Sequence, residues 1–267
     1  MKCSWTTNLR GPLLVWALVG AAASAPAQPA PEATVAFDSY IASVESRLAE
    51  QHRSSEEFLA PADPARLRKG EMVVEPVSTA TGTGLSEVAP PGAPPGASIH
   101  HWRGTAFAPG ATAAEFEPLL RDFDGYPERF TPQVVAARVL ARQGDRTRIW
   151  MRVRQRHGLT VILETTYDVT FGKLDSTHGS STSRSVEIAQ VEPAGRAFDG
   201  LLWRQNIYWR WEERDGGLEI QIESVSLTRS IPRGLGWAIG PFVESVPREE
   251  LEFTLHSVCN ALRRANQ

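Results

Sequence analysis

Cysteine is nearly absent. The 267-residue chain has two, Cys3 and Cys259. If the first lies in a segment that is removed, as argued below, no internal disulfide can form and packing alone must hold the core. There is no Cys cluster, H-x-x-x-H or H-x-H, which removes the usual zinc spacings. There is no G-x-S-x-G elbow, so a hydrolase nucleophile has no visible carrier. Beyond the N-terminus, no apolar run approaches the ~20 residues of a membrane-spanning helix. Gly82 and Gly84 follow no long strand and open no helix, so they do not form a dinucleotide loop. Positive charge is not in excess either. The net charge is −3, a balance with no global field to attract nucleic acid. No nucleic acid, metal or cofactor is expected.

Two local patterns invite a metal reading and do not sustain it. His100 and His101 are neighbours on an expected strand, where successive side chains point to opposite faces, so they cannot chelate together. Asp122 and Asp124 precede Gly125 at an expected helix end, where acids commonly build turns.

The N-terminus reads as an export signal. Lys2 and Arg10 give a basic start, Gly11 to Ala23 is apolar, and Ala25-Pro26-Ala27 is an A-x-A site with cleavage expected before Gln28. No Cys follows that site, so a lipoprotein anchor is not expected. Loss of residues 1–27 removes Cys3 and two positive charges, which takes the net charge from −3 to −5. The expected product is periplasmic or extracellular, with no stable membrane span.

An extension should occupy residues 28–78. Phe37, Ile41, Val44 and Leu48 form one stripe of an amphipathic helix from about Thr34. Pro61 and Pro64 end it, and Gly70 to Val77 suits a short strand. Residues 79–98, rich in Gly, Pro, Ser and Thr, read as a linker.

The main domain is expected from Ile99. A strand to Phe107 is followed by the capping box Thr112/Glu115 ahead of Phe116, Leu119, Leu120 and Phe123. Pro118 should kink or shorten that helix, and a second short helix is expected before Pro132. Alternating segments then follow: Val134–Leu140, Arg148–Arg154, Leu159–Phe171 and Ser183–Val191. The stretch from Leu201 to Arg229 is a hairpin about Asp215-Gly216-Gly217. Leu201, Trp203, Gln205, Ile207, Trp209 and Trp211 share one face before the turn. Leu218, Ile220 and Ile222 share one after it. The alternation then slips to Val225 and Leu227, which a bulge near Glu223–Ser224 would explain. Arg204 and Arg210 should point outward, solvated or paired with Glu212, Glu219 or Glu223. The basic series Arg148, Arg152, Arg154 and Arg156 should form a charge ladder with Glu164 and Asp168. The chain closes with an irregular segment, "GLGWAIGPF", and then a helix begun by Pro247 with Leu251, Leu255, Val258 and Leu262 along one stripe. Glu249 and Glu250 would sit in its first turn. Cys259 flanks the stripe and suits packing.

The order is therefore α+β: a strand, short helices, a run of antiparallel strands and one long helix to cover the apolar face. With the phrases "HHWRGTAFAPGATAAEFEPLLRDFDGYPERF" and "LLWRQNIYWRWEERDGGLEIQIESVSLTRSIPRGLGWAIGPFV", it resembles the START-related helix-grip superfamily over Ile99 to Arg264. That superfamily includes birch-pollen allergens, START lipid-transfer domains, polyketide cyclases/aromatases and coenzyme Q-binding proteins. Within it, the chain looks like an exported bacterial subgroup. The extension resembles that of larger START domains. The resemblance implies a curved antiparallel sheet wrapped around the C-terminal helix, with a cavity between them for an apolar ligand. It carries over no catalytic motif, and the catalytic residues are unknown. Trp and Tyr side chains, each with a large apolar body and one polar handle, suit such a wall. The expected ligand-binding residues are Trp203, Gln205, Ile207 and Trp209 on the hairpin, and Trp237, Phe242, Leu251 and Leu255 on the helix region. Tyr126 and Phe130 should close one end, and Tyr167 should add a hydroxyl. The expected function is binding or transport of a hydrophobic small molecule or lipid. Two rivals stand beside it: a cyclase/aromatase-like enzyme using the same cavity, and a structural or partner-binding protein with a filled core.

Overall fold

The computed structural model describes residues 28–77, 94–157, 159–191, 202–230 and 236–265. The expected signal segment lies outside them, as does most of the expected linker. Helix α1 is Pro31–Gln51 and α2 is Pro64–Arg68, followed by β1 at Val73–Pro76. Strand β2, Ala97–Pro109, begins inside the expected linker. Then come α3 (Ala113–Arg121), a 3-10 turn (Phe123–Gly125) and α4 (Tyr126–Arg129). Six strands follow: β3 Val134–Gln143, β4 Arg146–His157, β5 Leu159–Lys173, β6 His178–Val191, β7 Leu202–Arg214 and β8 Gly217–Arg229. Helix α5, Gly236–Ala265, is the last described element.

All eight strands form one antiparallel sheet in the order β1-β2-β8-β7-β6-β5-β4-β3. Local chemistry explains much of it. Thr112 accepts from the Glu115 amide while the Glu115 carboxylate accepts from the Thr112 amide, which completes the capping box of α3. Asp122 accepts from the Gly125 amide and so builds a turn. The β7–β8 turn has positive φ at both Asp215 (51°) and Gly216 (74°), the twist that a two-residue hairpin needs. Arg148 grips Asp168 through two bonds of 2.7 and 2.8 Å on the exposed face, and Arg152 pairs with Glu164. Pairs this exposed add little stability.

Helix α5 crosses the inner face of the sheet. Leu251, Leu255, Val258 and Leu262 bury there with Cys259, against Ala106 and Ala108 of β2, Trp209 and Trp211 of β7, and Leu218, Ile220 and Ile222 of β8. A Cβ on Gly104 would lie 2.8 Å from Leu255 Cδ1, so glycine is what lets the helix approach β2. The helix is continuous from Gly236. Pro241 and Pro247 lie within it, not at a break and a fresh start. Glu249 and Glu250 are therefore mid-helix, away from any helix N-terminus.

The outer face corrects two expectations and decides between the alternatives of a third. Helix α1 packs there, with Phe37, Tyr40, Ile41, Val44 and Leu48 against Ala97, Tyr208, Val225 and Leu227. First, α5 is not the sheet's only cover. Strand β8 is buried on both faces, so its slip in apolar parity is not a bulge: pairing with β7 runs unbroken from Arg204↔Leu227 to Arg214↔Gly217. Second, the irregularity lies between Leu202 and Arg204, and Trp203 is the extra residue. The shift turns Trp203 away from the inner face, and it packs against the α1 cluster. The third is Arg210, expected to be solvated or paired: it is 0 % exposed and paired with Glu223.

Beneath α1, Glu223 (0 % exposed) is the centre of a buried ion network. It accepts from Arg47 Nη2 at 2.5 Å, His101 Nε2 at 2.8 Å, Arg103 Nε at 3.2 Å and, closest of all, Arg210. Burial alone would raise its pKa. The charges of Arg210 and Arg47, the His101 hydrogen bond and Arg103 outweigh that and hold the carboxyl well below its ordinary range. Burial pulls Arg210 down to about 10 against the opposing pull of Glu223. Tyr40 Oη lies 2.7 Å from His101 Nδ1, so a neutral His101 can donate to Glu223 and accept from Tyr40. His101 is structural, and His100 bonds elsewhere, to Thr228 at 3.1 Å.

Candidate functional site

Between the sheet and the middle of α5 the packing opens. The cavity has a volume of about 170 Å³. Its floor is the inner face of β4 to β8, with Met151, Val153, Leu163, Ile207, Trp209 and Ile222. Its roof is one face of α5, Pro247, Glu250, Leu251 and Thr254, with Phe253 beside it. The short helices add Phe123, Tyr126 and Phe130, whose rings pack in sequence at 5.3 and 4.9 Å.

Most of the expected ligand residues meet here. Tyr126, Phe130, Tyr167, Gln205, Ile207, Trp209 and Leu251 all line the cavity. Leu255 does not; it is fully buried one turn further on, in the core. Trp203 is on the opposite side of the sheet, for the reason given above. The side chains of Trp237 and Phe242 lie outside the described residues.

Several polar groups of the wall are bonded within the protein. Tyr126 donates to the Leu120 carbonyl at 2.7 Å. Tyr167 donates to Gln205 Oε1 at 2.7 Å, and Gln205 Nε2 donates to Ser224 at 3.2 Å. Burial holds both phenols above their ordinary range. Glu250 differs. No described residue gives it a hydrogen bond or an ion pair, and burial pushes its carboxyl up to about 7. It keeps some accessible surface because the cavity is in front of it. No Arg, Lys, His or Asp stands among the described lining residues.

Sequence reasoning missed Glu250 because it placed that residue in a first helical turn. The signal was present in the helical spacing: 247, 250, 251 and 254 share a face. Met151 and Val153 lie in the expected strand Arg148–Arg154 but were not brought to the site, since strand curvature is not written locally. No group of three or more metal-ligating side chains occurs among the described residues.

A curved antiparallel sheet gripping a long C-terminal helix over an open cavity defines the architecture. The chain has a START-like helix-grip fold. Solved structures of similar fold include the Zhui aromatase/cyclase from Streptomyces, 15% identical, with a TM-score of 0.49 over 64% of this chain and 97% of that one. A STAR-related lipid transfer protein from Xanthomonas axonopodis is 16% identical, with a TM-score of 0.46 over 63% and 94%. Human STARD10 is 9% identical, with a TM-score of 0.43 over 75% and 81%. At these identities the likeness concerns the fold. No protein-family model matches the chain, and no curated protein matches it. No described helix is long and apolar enough to cross a membrane.

Proposed function

We propose that the helix-grip cavity binds a hydrophobic small molecule or lipid, and that the protein holds or carries it outside the cytoplasm. The observation that carries this reading is the cavity itself. Its wall is apolar and aromatic with few convergent polar groups, the composition of small-molecule sites. Space is left where a filled core would have side chains, which speaks against a purely structural role. Export rests on the basic start, apolar run and A-x-A site of residues 1–27. Native mass spectrometry of the purified protein, followed by solvent extraction, should yield an apolar molecule in stoichiometric amount. Fractionation with N-terminal sequencing should find Gln28 first. A protein that takes up no lipid, dye or aromatic compound sinks the binding reading. An intact Met1 on a cytoplasmic protein sinks export.

One observation favours a second reading, a cyclase/aromatase-like enzyme acting on a polyketide or aromatic ligand. Glu250 is a carboxyl poised near neutrality in the cavity, the range in which general acid–base groups work. If that reading holds, extracted ligand incubated with fresh protein changes mass with time; unchanged ligand counts against it.

A further inference from the structure

The reading as a binding cavity leaves the polar end of the ligand open, and the wall narrows it. The Tyr126 and Tyr167 hydroxyls and the Gln205 amide are bonded to neighbours. Among the described ionisable lining residues, Glu250 alone has no hydrogen-bond or ion-pair partner among the described residues, and no cationic side chain stands among the described lining residues. An anionic headgroup would meet an acid with nothing to neutralise it. A cation would meet a carboxylate beside the rings of Tyr126, Phe130 and Trp209, which attract positive charge through their faces. We infer that Glu250 is a specificity-determining residue, and that the cavity selects an apolar molecule bearing a basic amine over its neutral and acidic counterparts.

The inference rests on the binding reading and adds charge selection to it. Binding of the amine pairs two charges that would each be costly to bury alone. It follows that the preference requires the ionised carboxylate. The other ionisable groups among the described lining residues are Tyr126 of α4 and Tyr167 of β5, both held neutral by burial. On α5 itself, Arg248 and Glu249 flank Glu250, both exposed to solvent.

Three compounds with one apolar body test it: 2-naphthylmethylamine, 2-naphthylmethanol and 2-naphthoate, titrated into the purified protein by calorimetry near pH 8. The amine should bind about ten- to a hundredfold tighter than the alcohol, the range of one charge-assisted hydrogen bond, and naphthoate should bind weakest. Glu250→Gln should erase the advantage of the amine over the alcohol. Lowering the pH to about 5 should erase it in the wild type, a comparison that depends on no variant folding. Equal binding of amine and alcohol at pH 8, or tightest binding by naphthoate, overturns the charge preference and leaves the binding reading standing. If none of the three binds while an apolar dye does, the charge preference falls and the binding reading stands; if no lipid, dye or aromatic compound binds, both fall.

Discussion

Glu250→Gln should stabilise the ligand-free protein above neutral pH and leave it unchanged in acid. Burial moves the Glu250 carboxyl from 4.5 to about 7, and no cation among the described residues offsets the loss of water. Between those values the folded chain holds a proton that the unfolded chain has released. Stability therefore falls as pH rises through the window, and the full penalty is reached above about 7. A shift of about 2.5 units corresponds to about 3 kcal/mol at 1.36 kcal/mol per unit. Because the side chain faces the cavity, water entering there would reduce that figure, so it is an upper bound. Glutamine keeps the shape and has no charge to desolvate. The assay is urea unfolding of both proteins at matched pH from about 4 to 8. Taking the difference cancels what Glu223, His101 and the other titrating groups contribute to both. The curve should be flat near pH 4, climb through 5 to 7 and level off. A flat difference at every pH, or a variant less stable at pH 8, would refute the burial argument.

Glu223→Gln should cost about 3–5 kcal/mol, the usual result of leaving a buried charge unpaired, because Arg47, Arg103 and Arg210 lose their shared carboxylate. Hydrogen exchange should then quicken along α1. The Glu223 carboxyl is held below its ordinary range, so its stabilisation is present above pH 4.5 and disappears as pH falls through the folded value. Trp209→Ala should abolish binding of an apolar fluorescent probe and lower stability by about 3–5 kcal/mol. Trp203→Ala should lower stability while the probe still binds, since the two rings occupy opposite faces; equal effects on the probe would contradict the bulge. Gly104→Ala should cost about 1–3 kcal/mol by overpacking against Leu255, measured as a lower unfolding midpoint with an unchanged slope.

Local patterns made a large share of this fold legible. The Thr112/Glu115 box, the Asp215-Gly216 turn and the stripe Leu251, Leu255, Val258 and Leu262 each depend on residues a few positions apart. So does the opposition of His100 and His101. Those patterns, with the order of elements, led to the sheet, its covering helix and a cavity between them. Four of the seven expected residues that line the cavity, Tyr167, Gln205, Ile207 and Trp209, were readable because alternation on β5 and β7 shows which side chains share a face. It does not show which side of the sheet that face is.

What only the tertiary structure decided lies in long-range coverage and register. The bulge at Trp203 arises from pairing between β7 and β8, and one inserted residue turns its ring to the far side. Sequence leaves Arg210 either solvated or paired, until α1, more than 150 residues earlier in the chain, closes over it and its partner Glu223. Glu250 reads as a surface acid in a first helical turn until the continuity of α5 past Pro247 aims it at the cavity. Whether a side chain meets water, an ion partner or an empty space depends on the second layer packed against it, and that layer comes from distant parts of the chain.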